Sequence, residues 1–471
     1  MRRSSNYLTF RLIVINLIIF LFSSCSKFVE VDAPINQLPA GSTFSNDVTA
    51  TSAIVGIYSR LSQSPLVQSI TPYTGLYADE MVNYTPGLQS EFAASKLSRS
   101  SSPIINANFW NTSYQFIYAC NVAIEQLGMS TSISSNTKAV LTGEARFIRA
   151  YIYLSLTGLF GDIPLPTGSN YELNSTLARS GRSEVMKLII SDLAKAGELL
   201  PDRIDSEKIR ANRWAAKALL ARAYLYDQQF ALAEVAATEV ISSNRYQLNS
   251  DPARVFLKNS TEAILQLYPT QTNQNTPDGL TFLPATATET PKYYLTNSLL
   301  NEIETGDLRG SAWIASRQFA GQTLYYPNKY KVLNSSNLTE YLMIVRLAEL
   351  YLIRAGAYIH LGEIAKGVTD LNMLRKRSRM APTAAVPNPL PDIPLAIDQA
   401  AAIRALEHER RIELMFEMGH RWFDLTYSKR SSAVLSLLKP STWAETAQLW
   451  PLPEEQLRLN PNLIQNPGYF K

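Results

Sequence analysis

The sequence has few cysteines and histidines, the residues that form the disulfides and many of the metal sites of exported enzymes. It contains two cysteines, Cys25 and Cys120, and three histidines among 471 residues. Cys25 lies near the start of the chain, so the body that follows has Cys120 alone. This excludes an internal disulfide and a cysteine-based metal site in that body. The protein must therefore be stabilised by its hydrophobic core, and hydrophobic residues make up 46% of the chain.

Several patterns typical of catalysis are also missing. The sequence has no Gly-rich phosphate loop, nucleophile elbow or dinucleotide fingerprint. Residues 408–412 begin like the helix of a zinc protease, but Ile412 stands where the second histidine must lie. The formal net charge is only +4, which does not indicate a nucleic-acid partner. The sequence therefore predicts a protein without metal, cofactor or bound nucleic acid, and not an enzyme.

The first residues have the pattern of an export signal. Arginines open the chain, and an apolar run follows at 12–22. This run is shorter than the about 20 apolar residues that span a membrane, and it has the length of a secretory signal core. Small residues then precede Cys25, which resembles a bacterial lipoprotein signal that is cleaved before an acylated cysteine. We expect residues 1–24 to be a signal peptide, Cys25 to carry the lipid, and 25–40 to form a tether.

Most of the remaining chain has the three-to-four spacing of apolar residues that is typical of helices. Gly and Pro mark several of the predicted ends, as at 161–164. The predicted helices are 108–127, 138–160, 183–200, 213–226, 230–242, 342–361, 364–378 and 395–418.

Two of the predicted helical hairpins share the same spacing of small residues around a tyrosine. The matching sets are Ala221, Tyr224 and Ala233 in one hairpin, and Ala355, Tyr358 and Gly367 in the other. Small residues let paired helices approach closely, as in tetratricopeptide repeats. The predicted fold class is therefore mainly all-α, a tetratricopeptide-like scaffold of helical hairpins with loop-rich insertions and minor short strands.

Two long regions, about 62–107 and 244–340, are predicted to be irregular apart from short strands such as 263–268. Loops of this length are uncommon in a compact protein unless they carry function. They are rich in aromatic residues, on which the apolar face of a sugar ring can lie while amides and carboxylates bind its hydroxyls. The candidate ligand-contacting residues are Tyr73, Tyr77, Asp79, Asn83, Tyr84, Tyr293, Trp313 and Tyr325. The same aromatics could instead pack the loops down or contact a partner protein.

Three glutamates recur every four residues along the last predicted helix, at Glu409, Glu413 and Glu417. Carboxylates on one helix face repel each other unless cations lie between them. They could form the catalytic pair of a glycoside hydrolase, which also needs a cleft and two different pKa values. We favour a structural role instead. The predicted ion-pair network consists of Glu409, Arg410, Glu413, Glu417, Arg421 and Asp424.

Several segments together resemble the SusD/RagB family of nutrient-uptake lipoproteins. In the first half they are Gly-Glu-Ala-Arg-Phe-Ile-Arg-Ala-Tyr at 143–151 and Leu-Phe-Gly-Asp-Ile-Pro at 159–164. In the second half they are Glu-Arg-Arg-Ile-Glu-Leu at 409–414 and Glu-Met-Gly-His-Arg-Trp-Phe-Asp-Leu at 417–425, with Gln-Asn-Pro-Gly-Tyr at 465–469. The order of the segments matches over nearly the whole mature chain.

The resemblance implies a lipoprotein on the outward face of a bacterial outer membrane. Such a protein lies as a lid over a SusC-like TonB-dependent barrel and passes oligosaccharides, or in some branches peptides, into the channel. On this basis we expect a SusD-like N-terminal helical region at 41–243, an insertion with the ligand face at 244–340, and a SusD/RagB-like C-terminal region at 341–471. A peptide-binding lid of the RagB type and, less favoured, a surface glycosidase are the alternatives.

Overall fold

The computed structural model describes residues 43–469. The predicted signal peptide, Cys25 and the predicted tether lie outside these residues. From Phe44 onward the chain forms one compact unit, and most of that unit is helical. The predicted boundaries inside the body, at 243 and 340, stay predictions.

Within residues 43–469, helices of eight residues or more are labelled α1 to α12. They are α1 Asp47–Ser62, α2 Pro65–Tyr77, α3 Thr112–Met129, α4 Ser135–Phe160, α5 Arg182–Leu199, α6 Arg213–Tyr226, α7 Phe230–Ser242, α8 Leu347–His360, α9 Ile364–Ser378, α10 Gln399–Glu413, α11 His420–Tyr427 and α12 Ser431–Leu438.

Shorter elements connect these helices. The short helices are Leu88–Ala93, Arg99–Ser101, Ser102–Ile104, Ile105–Asn111, Tyr171–Asn174, Pro252–Arg254, Pro277–Phe282, Asn297–Leu300, Leu308–Trp313, Glu445–Gln448 and Glu454–Leu459. The strands are β1 Met81–Asn83, β2 Ala263–Leu267, β3 Tyr293–Leu295, β4 Ile314–Phe319, β5 Gln322–Pro327 and β6 Leu342–Arg346.

The long helices form a continuous stack. From α3 to α9 each helix packs against the next one along the chain, and α10 packs against α8 and α9. Each helix can bury its apolar stripe only against its neighbours, so the core runs the length of the stack. The predicted tetratricopeptide-like, mainly all-α fold is confirmed.

Small residues permit the closest helix crossings of this stack. Ala221, Ala233 and Ala355 are fully buried. A Cβ atom on Gly367 would lie 2.8 Å from the carbonyl oxygen of Ala355, so α8 and α9 can approach as they do because position 367 has no side chain. The Tyr358 hydroxyl donates a hydrogen bond to Glu234 at 3.0 Å, which ties this hairpin to α7.

Side-chain caps fix several helix starts. The Asn212 side chain accepts a hydrogen bond from the Ala215 N–H at 2.9 Å at the start of α6. Asp398 accepts from the Ala401 N–H at 2.7 Å at the start of α10. These caps satisfy backbone donors that have no partner inside the helix.

The prediction of a helix over 342–361 was wrong in its first turn. Residues 342–346 form β6, which pairs antiparallel with β2, and the helix begins at Leu347. Every residue of both strands is buried. A strand buried on both faces is a continuous apolar run, which periodicity cannot distinguish from a buried helix.

Two further segments differ clearly from the prediction. The region 62–107 was expected to be irregular, but it contains α2, in which all residues from 66 to 77 except Gln68 are buried. A helix buried nearly all round has no polar stripe to reveal it. The last predicted helix, 395–418, spans only Gln399–Glu413. It ends because the next residues turn, with Phe416 and Met418 in left-handed conformations.

Candidate functional site

Two short strands, β1 and β3, form one edge of what we call the irregular flank, which consists of the short strands and loops of residues 62–107 and 244–340. β1 pairs antiparallel with β3, so that Val82 lies opposite Tyr294 and Asn83 opposite Tyr293. Side chains alternate between the faces of a strand. Tyr293 is accordingly buried, whereas Tyr294 is only half-buried. The pairing thus points one tyrosine of β3 at the core and the other toward the outside.

The β4–β5 hairpin brings a second aromatic to this edge. Ala320 and Gly321 form its two-residue turn with φ of 48° and 79°, as in the tight turns that match strand twist. Phe319 precedes the turn, and its ring lies 5.5 Å from the Tyr84 ring in an edge-to-face contact. Tyr84 and Phe319 are 38% and 37% exposed. We call this exposed pair the aromatic edge.

Tyr325 is 39% exposed, but it does not belong to the aromatic edge. It pairs with Ser316, whereas Phe319 pairs with Gln322. Directly paired residues share a face and faces alternate along the strand, so Tyr325 lies on the opposite face of the hairpin from Phe319. It stays a candidate contact on that face.

Two predicted contacts, Tyr77 and Trp313, are fully buried and do not reach a ligand. The Tyr77 hydroxyl donates to the carbonyl oxygen of Ala447 at 2.9 Å. The Trp313 indole N–H donates to the carbonyl oxygen of Pro252 at 2.9 Å. Both rings pack the irregular segments onto the body, which was the alternative stated for these aromatics.

Tyr73 and Tyr293 are each only 8% exposed and are likewise part of the core. The ring of Tyr73 lies 4.6 Å from that of Phe92, and the ring of Tyr293 lies 5.8 Å from that of Phe282. These contacts leave little of either ring exposed, and their contact with a ligand stays a prediction.

The two predicted polar contacts have internal partners. Asp79 is 2% exposed. It accepts two hydrogen bonds from Arg421, at 2.7 and 3.0 Å, and forms an ion pair with Arg411 at 2.7 Å. Burial opposes ionisation of Asp79, but these two guanidinium groups outweigh it and hold its pKa below the usual value. Asp79 is therefore structural. Half-buried Asn83 donates to the Thr85 carbonyl at 2.6 Å, which shapes the loop after β1.

An uncharged cleft of about 130 Å³ lies between the α1–α2 turn and residues 269–281. Its amide side chains are Gln63, Gln68, Gln271, Gln274 and Asn275. Within residues 43–469 the side chains of Gln271 and Gln274 have no hydrogen-bond partner, whereas Asn275 accepts from the Thr339 and Glu340 N–H groups at 2.7 and 3.0 Å and so fixes the loop. We call this the amide cleft.

The short helix Pro277–Phe282 links the two features. Pro277, Leu280 and Thr281 of this helix line the amide cleft, and its last residue, Phe282, packs on Tyr293 of β3. β3 in turn pairs with β1, which leads into Tyr84. The aromatic edge and the amide cleft thus belong to one continuous flank.

Sequence reasoning did not select Phe319, Gln63 or Gln68. Gly321 permits a tight turn after Phe319, but Ala-Gly is not one of the dipeptides that mark a two-residue hairpin, so the sequence gives only a weak signal for an exposed tip at Phe319. No local signal marks Gln63 and Gln68, because their position opposite residues 269–281 depends on the folding of distant segments.

The three glutamates of the predicted network are buried and paired. Glu413 accepts from Arg346 at 2.7 Å and from Arg309 at 2.9 Å, and Glu409 pairs with Arg309 as well. Glu417 lies beyond the end of α10 and accepts from Arg346 at 2.7 Å. These partners come from distant segments.

The other predicted members of the network form separate pairs. Arg410 donates two hydrogen bonds to Asp424, at 2.8 and 2.7 Å. Arg421 pairs with Asp79 and not with the glutamates. The charges therefore neutralise one another in groups that join α10 and α11 to the rest of the body.

The electrostatics of these glutamates do not suit acid–base catalysis. Burial opposes ionisation of Glu413, but Arg377, Arg346 and Arg309 outweigh it and hold its pKa well below the usual value. Arg346 and Lys329 likewise lower the pKa of Glu417. A glycosidase general acid needs a raised pKa and contact with the glycosidic oxygen. Glu413 is fully buried, and neither glutamate lines the amide cleft.

A tetratricopeptide-like stack with a separate flank of short strands and loops defines a helical scaffold protein. Two family models match this chain. A SusD-like model described as "Starch-binding associating with outer membrane" matches residues 27–225, and a model described as "SusD family" matches residues 267–430. Together they cover about three quarters of the chain.

Known relatives agree with these matches. Two SusD-like proteins of Formosa agariphila are 24% and 23% identical to this chain. The alignments cover 76% of this chain and 79% of the first relative, and 97% of this chain and 99% of the second. The chain belongs to the SusD/RagB family.

Solved structures share the fold. A SusD-like protein from Bacteroides fragilis superposes with a TM-score of 0.76 at 22% identity, over 93% of this chain and all of that one. A structure described as a laminarin-binding SusD-like protein gives a TM-score of 0.73 at 22% identity, over 90% of this chain and all of that one. Within residues 43–469, no helix is long and apolar enough to cross a membrane.

Proposed function

We propose that this protein captures a neutral oligosaccharide at the surface of the outer membrane, without chemical change, and delivers it to a SusC-like TonB-dependent transporter. The observation that carries the proposal is the exposed Tyr84–Phe319 pair on the same flank as the amide cleft. The family model described as starch-binding and the structural similarity to a laminarin-binding protein support the same ligand class.

The two features supply the two kinds of contact that a sugar needs. Exposed aromatic rings can hold the apolar C–H face of a sugar ring. Each free amide both donates and accepts hydrogen bonds, as each sugar hydroxyl does. No charged side chain lines the amide cleft, so it offers nothing to neutralise a charged ligand. The flank therefore fits a neutral glycan better than an acidic one.

The location follows from the proposed lipid anchor at Cys25. One acyl chain gives only marginal membrane binding, whereas two or more anchor a protein stably. A ligand held beside the mouth of a transporter is present there at high effective concentration, so modest affinity is sufficient. Metabolic palmitate labelling of the exported protein should label the native chain and not a Cys25→Ser variant. Equal labelling of both would contradict the anchor.

The ligand face is tested with an array of glycans and peptides, probed with protein that lacks residues 1–25 and so keeps every described residue. We expect binding to neutral glycans. A Tyr84→Ala/Phe319→Ala protein should lose at least about tenfold in affinity, the effect of about 1.4 kcal/mol. Tyr171→Ala is the matched control, since Tyr171 is 80% exposed in the short helix Tyr171–Asn174, outside the aromatic edge and the amide cleft.

Two results would overturn the glycan proposal. If the array shows peptides alone, the protein is a peptide-binding lid of the RagB type. If glycans bind the double variant as tightly as the native protein, the aromatic edge is not the ligand face. Trp313→Ala is not a suitable test, because Trp313 is fully buried and its truncation would destabilise the core.

The proposed transporter partnership is tested separately. A tagged, membrane-bound form of this protein should co-purify with a TonB-dependent barrel from its own outer membrane after mild solubilisation. Recovery of the tagged protein without any barrel, under conditions that preserve other outer-membrane complexes, would contradict the partnership and leave the binding proposal standing.

A further inference from the structure

The backbone of β4 is paired on one side only, by β5. The two-residue turn makes Phe319 and Gln322 a hydrogen-bonded pair, and at the other end of the hairpin the Asn328 N–H donates to the carbonyl oxygen of Trp313 at 2.8 Å. Along an antiparallel pair, hydrogen-bonded and non-hydrogen-bonded positions alternate. The odd-numbered residues of β4 therefore direct their backbone groups at β5, and the even-numbered residues direct theirs away from it.

Ser316 and Gln318 are the even-numbered residues in the middle of β4. Both are exposed. Among residues 43–469, no hydrogen bond occupies the N–H or C=O group of either one. We call these backbone groups the β4 edge. An unpaired strand edge of this kind is a template for pairing with another extended segment.

Arg317 lies between the two residues of the β4 edge. Its Nη1 donates to the carbonyl oxygen of Thr286 at 2.8 Å and to that of Glu289. Its Nε and Nη2 have no partner within residues 43–469, and both atoms remain open to solvent. No carboxylate in the same part of the chain forms an ion pair with this guanidinium. Arg317 thus places an unneutralised cation at the centre of the β4 edge.

This cation decides what kind of segment can pair with the β4 edge. A two-fold pairing of two copies of the chain that uses Ser316 and Gln318 of both would set Arg317 directly opposite itself. Like charges directly opposite each other destabilise a strand pair. A carboxylate at the same position would lie within reach of the free Nε and Nη2, which can hold it with two hydrogen bonds. The edge therefore favours a different chain with an acidic side chain opposite Arg317.

We propose that the β4 edge is a docking surface for an extended acidic segment of the transporter, which adds to the hairpin as a third strand. This inference rests on the transporter partnership proposed above. β4 ends at Phe319 of the aromatic edge, so the added segment would lie beside the proposed ligand face, where the transporter must receive the ligand. Main-chain hydrogen bonds would supply the affinity, and the carboxylate opposite Arg317 the specificity.

The edge itself is tested with protein that lacks residues 1–25 and two end-blocked peptides, Thr-Val-Glu-Val-Thr and Thr-Val-Lys-Val-Thr. Their affinities are measured by NMR titration. We expect the Glu peptide to bind at least about tenfold more tightly than the Lys peptide. Gln318→Pro should weaken its binding about tenfold, because proline removes a free N–H. The hairpin should survive, since proline is tolerated where a strand N–H faces solvent.

The transporter as the source of the segment is tested with the tagged, membrane-bound full chain. Gln318→Pro and Arg317→Glu should each reduce the amount of co-purified barrel at least about fivefold relative to the native protein. Tyr171→Pro is the matched control for both measurements. Tyr171 is the first residue of the short helix Tyr171–Asn174, outside the hairpin, and proline is favoured at that position. Circular dichroism confirms that each variant is folded.

Each failure has its own meaning. If neither peptide binds, if both bind equally, or if Gln318→Pro leaves binding unchanged, the docking surface is overturned and Arg317 only protects the edge from pairing. A barrel that co-purifies equally with the native protein and both hairpin variants would also overturn it, while the transporter partnership would stand. A native protein that recovers no barrel would contradict the partnership, and with it the transporter as the occupant of the β4 edge.

Discussion

At the scale of single residues, the body contains carboxyl groups that have no countercharge within hydrogen-bond distance. Asp278, in the short helix at the amide cleft, is 2% exposed. Its only hydrogen bond among residues 43–469 comes from Thr71 at 3.4 Å, and its Oδ1 has no partner. Burial raises the pKa of Asp278 to about 8, with Glu417 adding to the rise and Lys329 opposing it.

This raised pKa makes stability depend on pH. Between about pH 4 and pH 8 the folded protein keeps the proton on Asp278 while the unfolded chain has lost it, so this residue makes the free energy of unfolding fall as pH rises. The slope for one proton is at most about 1.4 kcal/mol per pH unit. Asp278→Asn removes the titration and should stabilise the protein progressively from pH 4 to pH 8.

Urea unfolding at pH 5, 6 and 7 measures this effect, with Asp392→Asn on the exposed surface as the control. The control should shift all three values alike. A destabilisation by Asp278→Asn that grows toward pH 7 would show that the native carboxyl is ionised, which is the opposite of our prediction.

At the scale of elements, the helix crossings depend on where side chains are absent. A Cβ on Gly367 would lie 2.6 Å from Cγ1 of Ile359 and 2.8 Å from the carbonyl oxygen of Ala355. In contrast, nothing lies within 4 Å of the corresponding position on Gly56, in the middle of α1. Both glycines lie within helices, and they differ in how close the nearest atoms would be to an added Cβ.

The same substitution at these two positions should therefore have opposite effects. Gly56→Ala should stabilise the protein by about 0.5–1 kcal/mol, because alanine loses less conformational entropy in a helix. Gly367→Ala should destabilise it by about 1–3 kcal/mol, because α8 and α9 must move apart. Denaturant unfolding of both variants measures the change in the free energy of unfolding. Equal changes at the two positions would show that the α8–α9 crossing is not tight.

At the scale of the whole molecule, buried ion pairs join segments that are far apart in sequence. Arg346 ends β6 and donates to Glu413, the last residue of α10, and to Glu417 beyond it. It also lies 3.3 Å from Glu262, which precedes β2. Its side chain is 1% exposed. One guanidinium group thus holds the second half of the stack to the loop-rich region.

Arg346→Met should leave three buried carboxylates with one cation fewer, since Arg309, Arg377 and Lys329 still pair with them. Removing one partner of a buried pair costs about 3–5 kcal/mol, so the free energy of unfolding from denaturant titration should fall by about that amount. Arg203→Met is the matched control: its side chain is 76% exposed in a surface pair, and we expect a change within about 0.5 kcal/mol. Similar small effects at both positions would contradict a structural role for the network.

Much of the scaffold was predictable from sequence. The bounds predicted for α6, α7 and α9 match the structure, because each has a polar stripe and short connections. The helix α2 and the strand β6 were not predicted, since both are buried on nearly all sides and have no alternation to detect.

The candidate site was less predictable. Of the eight residues chosen as ligand contacts, only Tyr84 and Tyr325 are exposed by more than a third of their surface. Composition locates the aromatic residues, but it does not say which of them are covered by other segments. Tyr77, for example, is enclosed by Trp422 and Trp450 from the far end of the chain.

The sequence alone was sufficient to predict the helical scaffold, its small-residue crossings and the family of the protein. Each of these depends on periodicity or on motifs within a few turns of chain. The folded structure was needed to show which aromatics face water, which arginine neutralises each glutamate, and where cavities open. Those properties depend on contacts between residues hundreds of positions apart, whose pairing is set by the packing of the whole body and leaves no local pattern.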